Sequence, residues 1–136
     1  MNIINRFFKH KNVPDLREGL EYIHDCKLLD IAYNIRDCSI QLVINCPHDL
    51  GYAPWNGKNL ALTAVDVGAS NYNLWNIAGV DDIDNIQPGL SAAYKKIISE
   101  AKKRGARLPD LEFTILFQSG STLEIICKHL EVTIKE

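Results

Sequence analysis

The chain lacks the features that mark membrane-spanning, nucleic-acid-binding and disulfide-rich proteins. No apolar run in its 136 residues approaches the roughly 20 residues that cross a bilayer as a helix. Its net charge is −2, without the strongly basic character of nucleic-acid-binding domains. The 4 cysteines are too scattered for a disulfide framework, and residues 1–11 do not resemble a secretory signal. We therefore expect a cytoplasmic protein with reduced thiols that binds neither nucleic acid nor membrane.

The motifs of common enzyme classes are also missing. The glycines are too widely spaced for a phosphate-binding loop, and no G-x-S-x-G nucleophile motif occurs. Asp81, Asp82 and Asp84 lack the alternating ligands, central glycine and terminal glutamate of a calcium-binding loop, so we interpret them as a solvated loop or a partner surface. The sequence predicts no catalytic residues, no metal and no cofactor.

The length of the chain, close to the roughly 150 residues of a typical domain, predicts a single domain spanning 1–136. Apolar and polar residues alternate through 28–35 and again through 40–46, which is typical of a β-hairpin. Further strands are predicted at 60–67, 72–77, 111–117 and 123–134, with a long loop at 47–59. After Cys127 the apolar positions change phase, which predicts a β-bulge near Lys128 or His129 that keeps Leu130, Val132 and Ile134 facing the core.

Two stretches have helical spacing. Pro14 and the apolar residues after it predict a short helix at 14–24. The apolar positions of 3–8 suit either a membrane surface, a partner groove or packing on the domain itself, which we favour. The main amphipathic helix is predicted at about 90–104 and ends at Gly105, and its basic face is typical of a solvated surface. The resulting fold class is α+β, with a mostly antiparallel sheet built from hairpins and one major helix.

Two Cys-x-His pairs offer an alternative chemistry. Cys46 with His48, and Cys127 with His129, each place two soft ligands on one strand face, as a zinc site requires. Their spacing matches no common zinc motif, and a cysteine that completes an apolar strand pattern is typical of a core residue. A small thiol- or zinc-dependent enzyme using these four residues remains the alternative hypothesis.

The central part of the chain combines acidic and aromatic residues. Residues 28–92 contain seven aspartates against only two basic residues, a net charge of −5. Tyr52, Trp55, Tyr72 and Trp75 lie in the same part, and Trp and Tyr are common anchors of protein interfaces. Core packing is the alternative role for each of these aromatics.

Several strings resemble small immunity proteins that bacteria encode beside polymorphic or contact-dependent growth inhibition toxins. These strings are Ile23-His24-Asp25, the hairpin at 28–46, the strand at 60–67, Asn76-Ile77-Ala78-Gly79-Val80 with its acidic follow-on, and the last hairpin around Gly120, which ends in Ile125-Ile126-Cys127-Lys128. The resemblance covers residues 20–134 and implies a bacterial protein that neutralises a cognate toxin without catalysis. It assigns no binding residue.

The acidic and aromatic residues supply a hypothesis for that binding. We expect Asp81, Asp82 and Asp84, helped by Trp55 and Tyr52, to bind a basic toxin domain, which is often a nuclease. An orphan subunit of a larger complex has the same sequence features and is a third possibility.

Overall fold

The computed structural model describes residues 24–49, 55–73 and 81–135. They form one helix and eight strands, with the bounds β1 Lys27–Asn34, β2 Ser39–Asn45, β3 Asn59–Val65, β4 Ala69–Asn73, β5 Asp81–Pro88, α1 Ala92–Lys103, β6 Leu111–Phe117, β7 Thr122–Cys127 and β8 His129–Lys135. Neighbouring strands pair antiparallel in the order β4-β7-β6-β5-β1-β2-β3-β8. The mostly antiparallel sheet with one major helix is therefore confirmed.

Three predicted elements are only partly described. The predicted N-terminal helix at 14–24 lies outside the described residues apart from His24, which is part of a turn. The strand predicted at 72–77 corresponds to β4, which begins earlier, at Ala69; residues 74–77 are not described. Between β2 and β3, residues 46–49 and 55–58 contain no strand, as expected for the predicted loop.

β1 and β2 form the predicted hairpin. Tyr33 lies opposite Ile40 and Ile31 lies opposite Leu42, so apolar side chains face each other across the pair. Ile40 and Leu42 are buried, whereas Tyr33 is 50% exposed. The alternation correctly indicates the strand, but the apolar face of β1 is only partly covered.

The sheet folds on itself because two strand pairs form one bent ribbon. β3 pairs with β8, β4 pairs with β7, and the chain passes from β3 to β4 and from β7 to β8 through short connections. At the bend the amide of Lys128 donates to the carbonyl of Val65 at 3.0 Å, and the amide of Gly68 donates to the carbonyl of Ile126 at 2.9 Å. Strands that bend in this way bring two parts of a sheet face to face around a common core.

The phase change at the end of β7 marks this bend. Lys128 lies between β7 and β8, which have different neighbours in the sheet, so the predicted bulge at Lys128 or His129 is wrong. The predicted facing of Leu130 and Val132 is confirmed, because both are buried in the main core. Ile134 lies opposite the buried Leu60 and so shares their face, but it is 36% exposed near the end of β8.

Side chains from both ends of the sheet form the main core. Its buried members come from β2, β3, β5, β6, β7 and β8 and from the segments that precede β1 and β3: Cys26, Ile40, Leu42, Ile44, Cys46, Trp55, Leu60, Leu62, Ala64, Ile83, Ile86, Phe113, Ile115, Phe117, Leu123, Ile125, Cys127, Leu130 and Val132. Removing this apolar surface from water is the dominant stabilising contribution to the fold.

β5 is a strand where the sequence predicts a solvated loop. Only Ile83 and Ile86 of this strand are buried hydrophobic residues. They are three positions apart because the pairing with β6 shifts register between Ile83 and Asn85. Such a bulge adds one residue to the strand and so breaks the alternation that marks a strand in a sequence.

α1 covers the outer face of the sheet near β4 and β7. The hydroxyl of Ser91 caps the helix by accepting from the amide of Tyr94 at 3.3 Å, and Gly105 follows its last turn with a φ of 95°. Tyr94 and Ile98 pack against Ile126, but Ile97 is exposed, so the buried face is narrower than the predicted one. Within the described ranges, no helix has the length and apolarity needed to cross a membrane.

Candidate functional site

The acidic residues singled out in the sequence lie where β5 meets β1. Asp81 and Asp82, the first two residues of β5, pair with β1. Ile83 is fully buried in the core, whereas Asp82 is half-buried and Asp84 is exposed. Only the backbone of Asp81 is described. The strand thus places an apolar residue inside and carboxylates outside.

Besides Asp82 and Asp84, a third carboxylate, that of Asp25, lies in the turn that precedes β1. The amide of Asp25 donates to the carbonyl of Ile83 at 2.9 Å, and Nδ1 of His24 donates to the carbonyl of Asp84. Nε2 of Gln118 donates to Oδ1 of Asp25 at 3.2 Å. Asp25 has a φ of 66°, a left-handed conformation that Asp adopts more readily than most residues. These contacts hold the turn against β5, so the His24-Asp25 pair has a structural role.

We call the carboxylates of Asp25, Asp82 and Asp84 the acidic surface. Lys27 lies opposite Asp82 in the β1–β5 pairing, and among the described residues no ion pair involves Asp84. Asp25 and Asp84 are exposed and Asp82 is half-buried, while Nε2 of His24 lies 3.5 Å from Oδ1 of Asp25. Carboxylates that outnumber the cations beside them produce a negative potential that attracts basic molecules. This geometry suits recognition by charge.

Of the two aromatic residues expected to assist the carboxylates, only Trp55 is described. Tyr52 lies outside the described residues. The side chain of Trp55 is 0% exposed and belongs to the main core, so the expectation of an exposed Trp55 anchor is wrong. The physical reason is the large apolar area of an indole, which favours burial when the core offers space.

Exposed apolar side chains occur instead on and just after β1. Leu29 and Tyr33 are each 50% exposed, and Ile35 is 79% exposed. The sequence identifies their alternation but does not indicate which strand face stays uncovered. Leu29 follows the pairing of Leu28 with Asp81, whereas Tyr33 and Ile35 lie at the turn end of the β1–β2 hairpin. Of the three, only Leu29 is close to the start of β5.

The Cys-x-His pairs have partners unrelated to metal binding. Sγ of Cys46 lies 3.3 Å from Sγ of Cys26, and Sγ of Cys127 contacts the backbone carbonyl of His129 at 3.5 Å. Nε2 of His129 lies 3.0 Å from Oε1 of Glu131. Within the part of the chain that the structure describes, no three His, Cys, Asp or Glu side chains are grouped as metal ligands. The arrangement therefore offers no support for the enzyme hypothesis.

A polar groove of about 440 Å³ lies beside the N-terminus of α1. At its floor Glu124 is 3% exposed, and its carboxylate accepts from Nδ2 of Asn71 at 2.9 Å and from the amide of Ser91 at 2.6 Å. Burial raises the pKa of Glu124, but these hydrogen bonds outweigh it and hold the pKa below its usual value. Both carboxylate oxygens are engaged, so Glu124 attaches α1 to the sheet. This role has no signal in the sequence, since Glu124 occupies an ordinary outward position of β7.

The basic residues of α1 and the segment after it form a separate surface. Their exposed members are Lys95, Lys96, Lys102, Lys103, Arg104 and Arg107. Lys102 and Lys103 lie in the last helical turn, where cations interact favourably with the helix dipole. The helix packs on β4 and β7, whereas the acidic surface lies at the junction of β1 and β5, so the two charged surfaces are on different strands.

Comparisons of the chain with protein-family models, with curated proteins and with solved structures found no match.

Proposed function

We propose that this protein is a bacterial immunity protein that binds and neutralises a cognate toxin domain through its acidic surface. The observation that carries the proposal is the joint position of Asp25, Asp82 and Asp84 at the junction of β1 and β5. Their charges complement a basic partner such as the nucleic-acid-binding cleft of a nuclease toxin. The activity is binding in the cytoplasm, without catalysis and without a cofactor.

The separation of charges on the molecule supports a directed encounter. Cations concentrate on and after α1, while carboxylates concentrate where β1 meets β5. A basic partner is therefore attracted to one side of the protein and repelled from another, which raises the rate of productive association. The exposed Leu29, which follows the pairing of Leu28 with Asp81, provides apolar area near these charges. Apolar and aromatic contacts of this kind supply much of the affinity once two proteins have met.

The test uses the toxin domain encoded beside the gene for this chain. Cells that express the toxin domain are scored for growth with and without this protein, and the association rate of the purified pair is measured at low and physiological salt. Wild type is expected to restore growth, with an association rate that falls as salt shortens the Debye length to about 8 Å.

A matched pair of variants locates the interface. The first double variant, Asp82→Asn with Asp84→Lys, makes the acidic surface more positive. The second, Glu100→Lys with Asp110→Asn, changes the charge by the same amount on and near α1. The first double variant is expected to slow association by at least about 10-fold. The second is expected to behave like wild type. Both are expected to keep the wild-type melting temperature, because Asp84, Glu100 and Asp110 are exposed, where substitutions rarely alter stability by more than about 0.5 kcal/mol, and Asp82→Asn preserves the size of the half-buried side chain.

Two results would contradict the proposal in different ways. Full protection and unchanged association by the Asp82→Asn/Asp84→Lys variant would move the interface away from the acidic surface. Failure of the wild-type protein to bind the neighbouring gene product would remove the immunity function itself.

A further inference from the structure

Two buried cysteines face each other at the base of the β1–β2 hairpin. Sγ of Cys26 lies 3.3 Å from Sγ of Cys46, and both side chains are almost completely buried. The register explains the contact, because Lys27 pairs with Asn45 and the next residues outward are these two cysteines. Residues directly opposite in an antiparallel pair have Cα atoms about 4.5–5.5 Å apart, within the range of about 4.4–6.8 Å that disulfides span.

We propose that Cys26 and Cys46 are an oxidation site that forms an intramolecular disulfide when a peroxide reacts with the folded protein. The inference is independent of toxin binding. It depends on the juxtaposition of the two sulfur atoms across a strand pair, which requires no rearrangement of the backbone to place them within bonding reach.

The hydrogen bond between the sulfurs assigns their roles. The thiol of Cys26 donates to the sulfur of Cys46, which lowers the pKa of Cys46. The same hydrogen bond, followed by burial, raises the pKa of Cys26. Because the thiolate is the nucleophilic form, Cys46 is the thiol that attacks peroxide and Cys26 is the thiol that resolves the product.

The reaction consists of two balanced steps. Cys46 loses its proton to solvent, and its sulfur attacks hydrogen peroxide; an S–O bond forms, the O–O bond breaks, and the departing hydroxide takes a proton to become water. The sulfur of Cys26 then attacks the sulfenic acid of Cys46, the S–S bond forms, and the S–O bond breaks. The hydroxide released here takes the thiol proton of Cys26. Two thiols are oxidised, one peroxide is reduced and two waters are formed.

The other two cysteines do not form such a pair. Cys38 is exposed and peroxide can reach it, so the experiment below removes it, and its Sγ contacts only the carbonyl of Ile35 at 3.7 Å. Burial raises the pKa of Cys127 to about 12, which leaves almost no thiolate at neutral pH. The proposed oxidant is peroxide because it is small. A bulky disulfide oxidant has little access to two buried sulfurs.

The bond has a structural consequence because the cysteines contact two further strands through their backbones. The carbonyl of Cys26 accepts from the amide of Ile83 at 2.8 Å, and the amide of Cys46 donates to the carbonyl of Lys58 at 2.8 Å. A disulfide at this point joins the segment before β1 to the end of β2, directly beside β5. By constraining the unfolded chain it is expected to raise the melting temperature.

The experiment uses the full chain with Cys38→Ser, which leaves Cys46 as the one cysteine of the tryptic peptide 37–58. The folded protein is treated with hydrogen peroxide, alkylated, digested and analysed by mass spectrometry. The expected product is peptide 18–27, which carries Cys26, linked to peptide 37–58, with Cys127 fully alkylated. Dithiothreitol is expected to release both peptides, and oxidation is expected to raise the melting temperature of this variant.

The controls separate this site from adventitious oxidation. Cys38→Ser with Cys127→Ser is expected to form the same linkage at the same rate, while wild type is expected to link 18–27 to 37–58 without an internal bond in 37–58. The proposal is overturned if peptide 18–27 keeps an alkylated cysteine after oxidation, or if Cys46 accumulates as sulfinic acid without a linkage. Linkage that forms only in denaturant overturns it as well.

Discussion

The helix-covered side of the molecule and the β1–β5 junction both contain carboxylates, but the two regions use them differently. Glu124, under the N-terminus of α1, is buried and accepts hydrogen bonds from Asn71 and Ser91. Asp84 is exposed, and its hydrogen bond with His24 is made by its backbone carbonyl. A carboxylate whose oxygens are engaged within the protein contributes to stability, whereas one that faces solvent is available to a partner.

The comparison teaches that net charge alone does not locate a binding surface. Glu124 lies in a part of the chain with a net positive charge. Its carboxylate is buried and accepts hydrogen bonds within the protein, so its charge is not available to a partner. The three members of the acidic surface lie together although Asp25 is more than fifty positions from the other two. Variants that disturb one region are therefore expected to leave the other intact.

The largest effect is expected for Trp55→Ala, which tests whether this residue belongs to the interior or to the binding region. Its indole is fully buried, so truncation is expected to reduce the free energy of unfolding by about 3–5 kcal/mol. Urea denaturation measures the change, and Trp55→Phe, which keeps an aromatic ring, should lose less. A stable Trp55→Ala protein with weakened toxin binding would instead return Trp55 to the interface.

A smaller effect is expected for Glu124→Gln. The variant should lose about 1.5–3 kcal/mol of stability at pH 7, because it removes the charge from two charge-assisted hydrogen bonds. Because folding lowers the pKa of Glu124, its contribution is complete above the pKa of the unfolded chain and is lost as pH falls through the folded pKa. Unfolding measured across the acidic range should therefore show the two proteins converging at low pH.

Asp84→Asn is the matched control for that experiment. It removes one negative charge at an exposed position and should change stability by no more than about 0.5 kcal/mol. Equal losses from Asp84→Asn and Glu124→Gln would remove the distinction between the two kinds of carboxylate.

Apart from the control variants, the smallest loss of stability is expected in β8, which pairs with β3. Val132 is fully buried opposite Leu62, so Val132→Ala should cost about 1–3 kcal/mol, measured by chemical denaturation. Lys128→Ala, at the exposed bend, should leave stability unchanged. Negligible losses at both positions would show that β8 does not pack as described.

Local patterns predicted the elements whose apolar spacing is clear in the sequence. Apolar residues alternate through most of the β1–β2 hairpin, whose register shift lies near the start of β1, between Leu28 and Asp30. Helix α1 has its apolar stripe, its preceding proline and glycine, and its terminal Gly105. β5 was not predicted as a strand, for two reasons. A bulge places its two core residues three positions apart, and aspartates make up most of its first four residues. The phase change at Lys128 was correctly located but misinterpreted, since a sequence does not show that two successive strands have different neighbours.

The candidate site was predicted in part for a related reason. The acidic residues of β5 stand together in the sequence, but Asp25 joins them only through backbone contacts with a strand far along the chain. The burial of Trp55 and the exposure of Leu29 depend on how completely each strand face is covered, which is a property of the assembled sheet. The contact between Cys26 and Cys46 follows from strand register and has no local signature.

The bent ribbon has a consequence for the order in which the chain folds. Val65 pairs with His129 and Asn59 pairs with Lys135, so the partners of this ribbon are more than 60 positions apart. Contacts between such distant residues close a long loop and form slowly, whereas the β1–β2 hairpin pairs neighbouring residues and forms early. During synthesis the edge of β3 that pairs with β8 therefore stays unpaired until β8 has left the ribosome, and an unpaired apolar strand is prone to aggregation during that time.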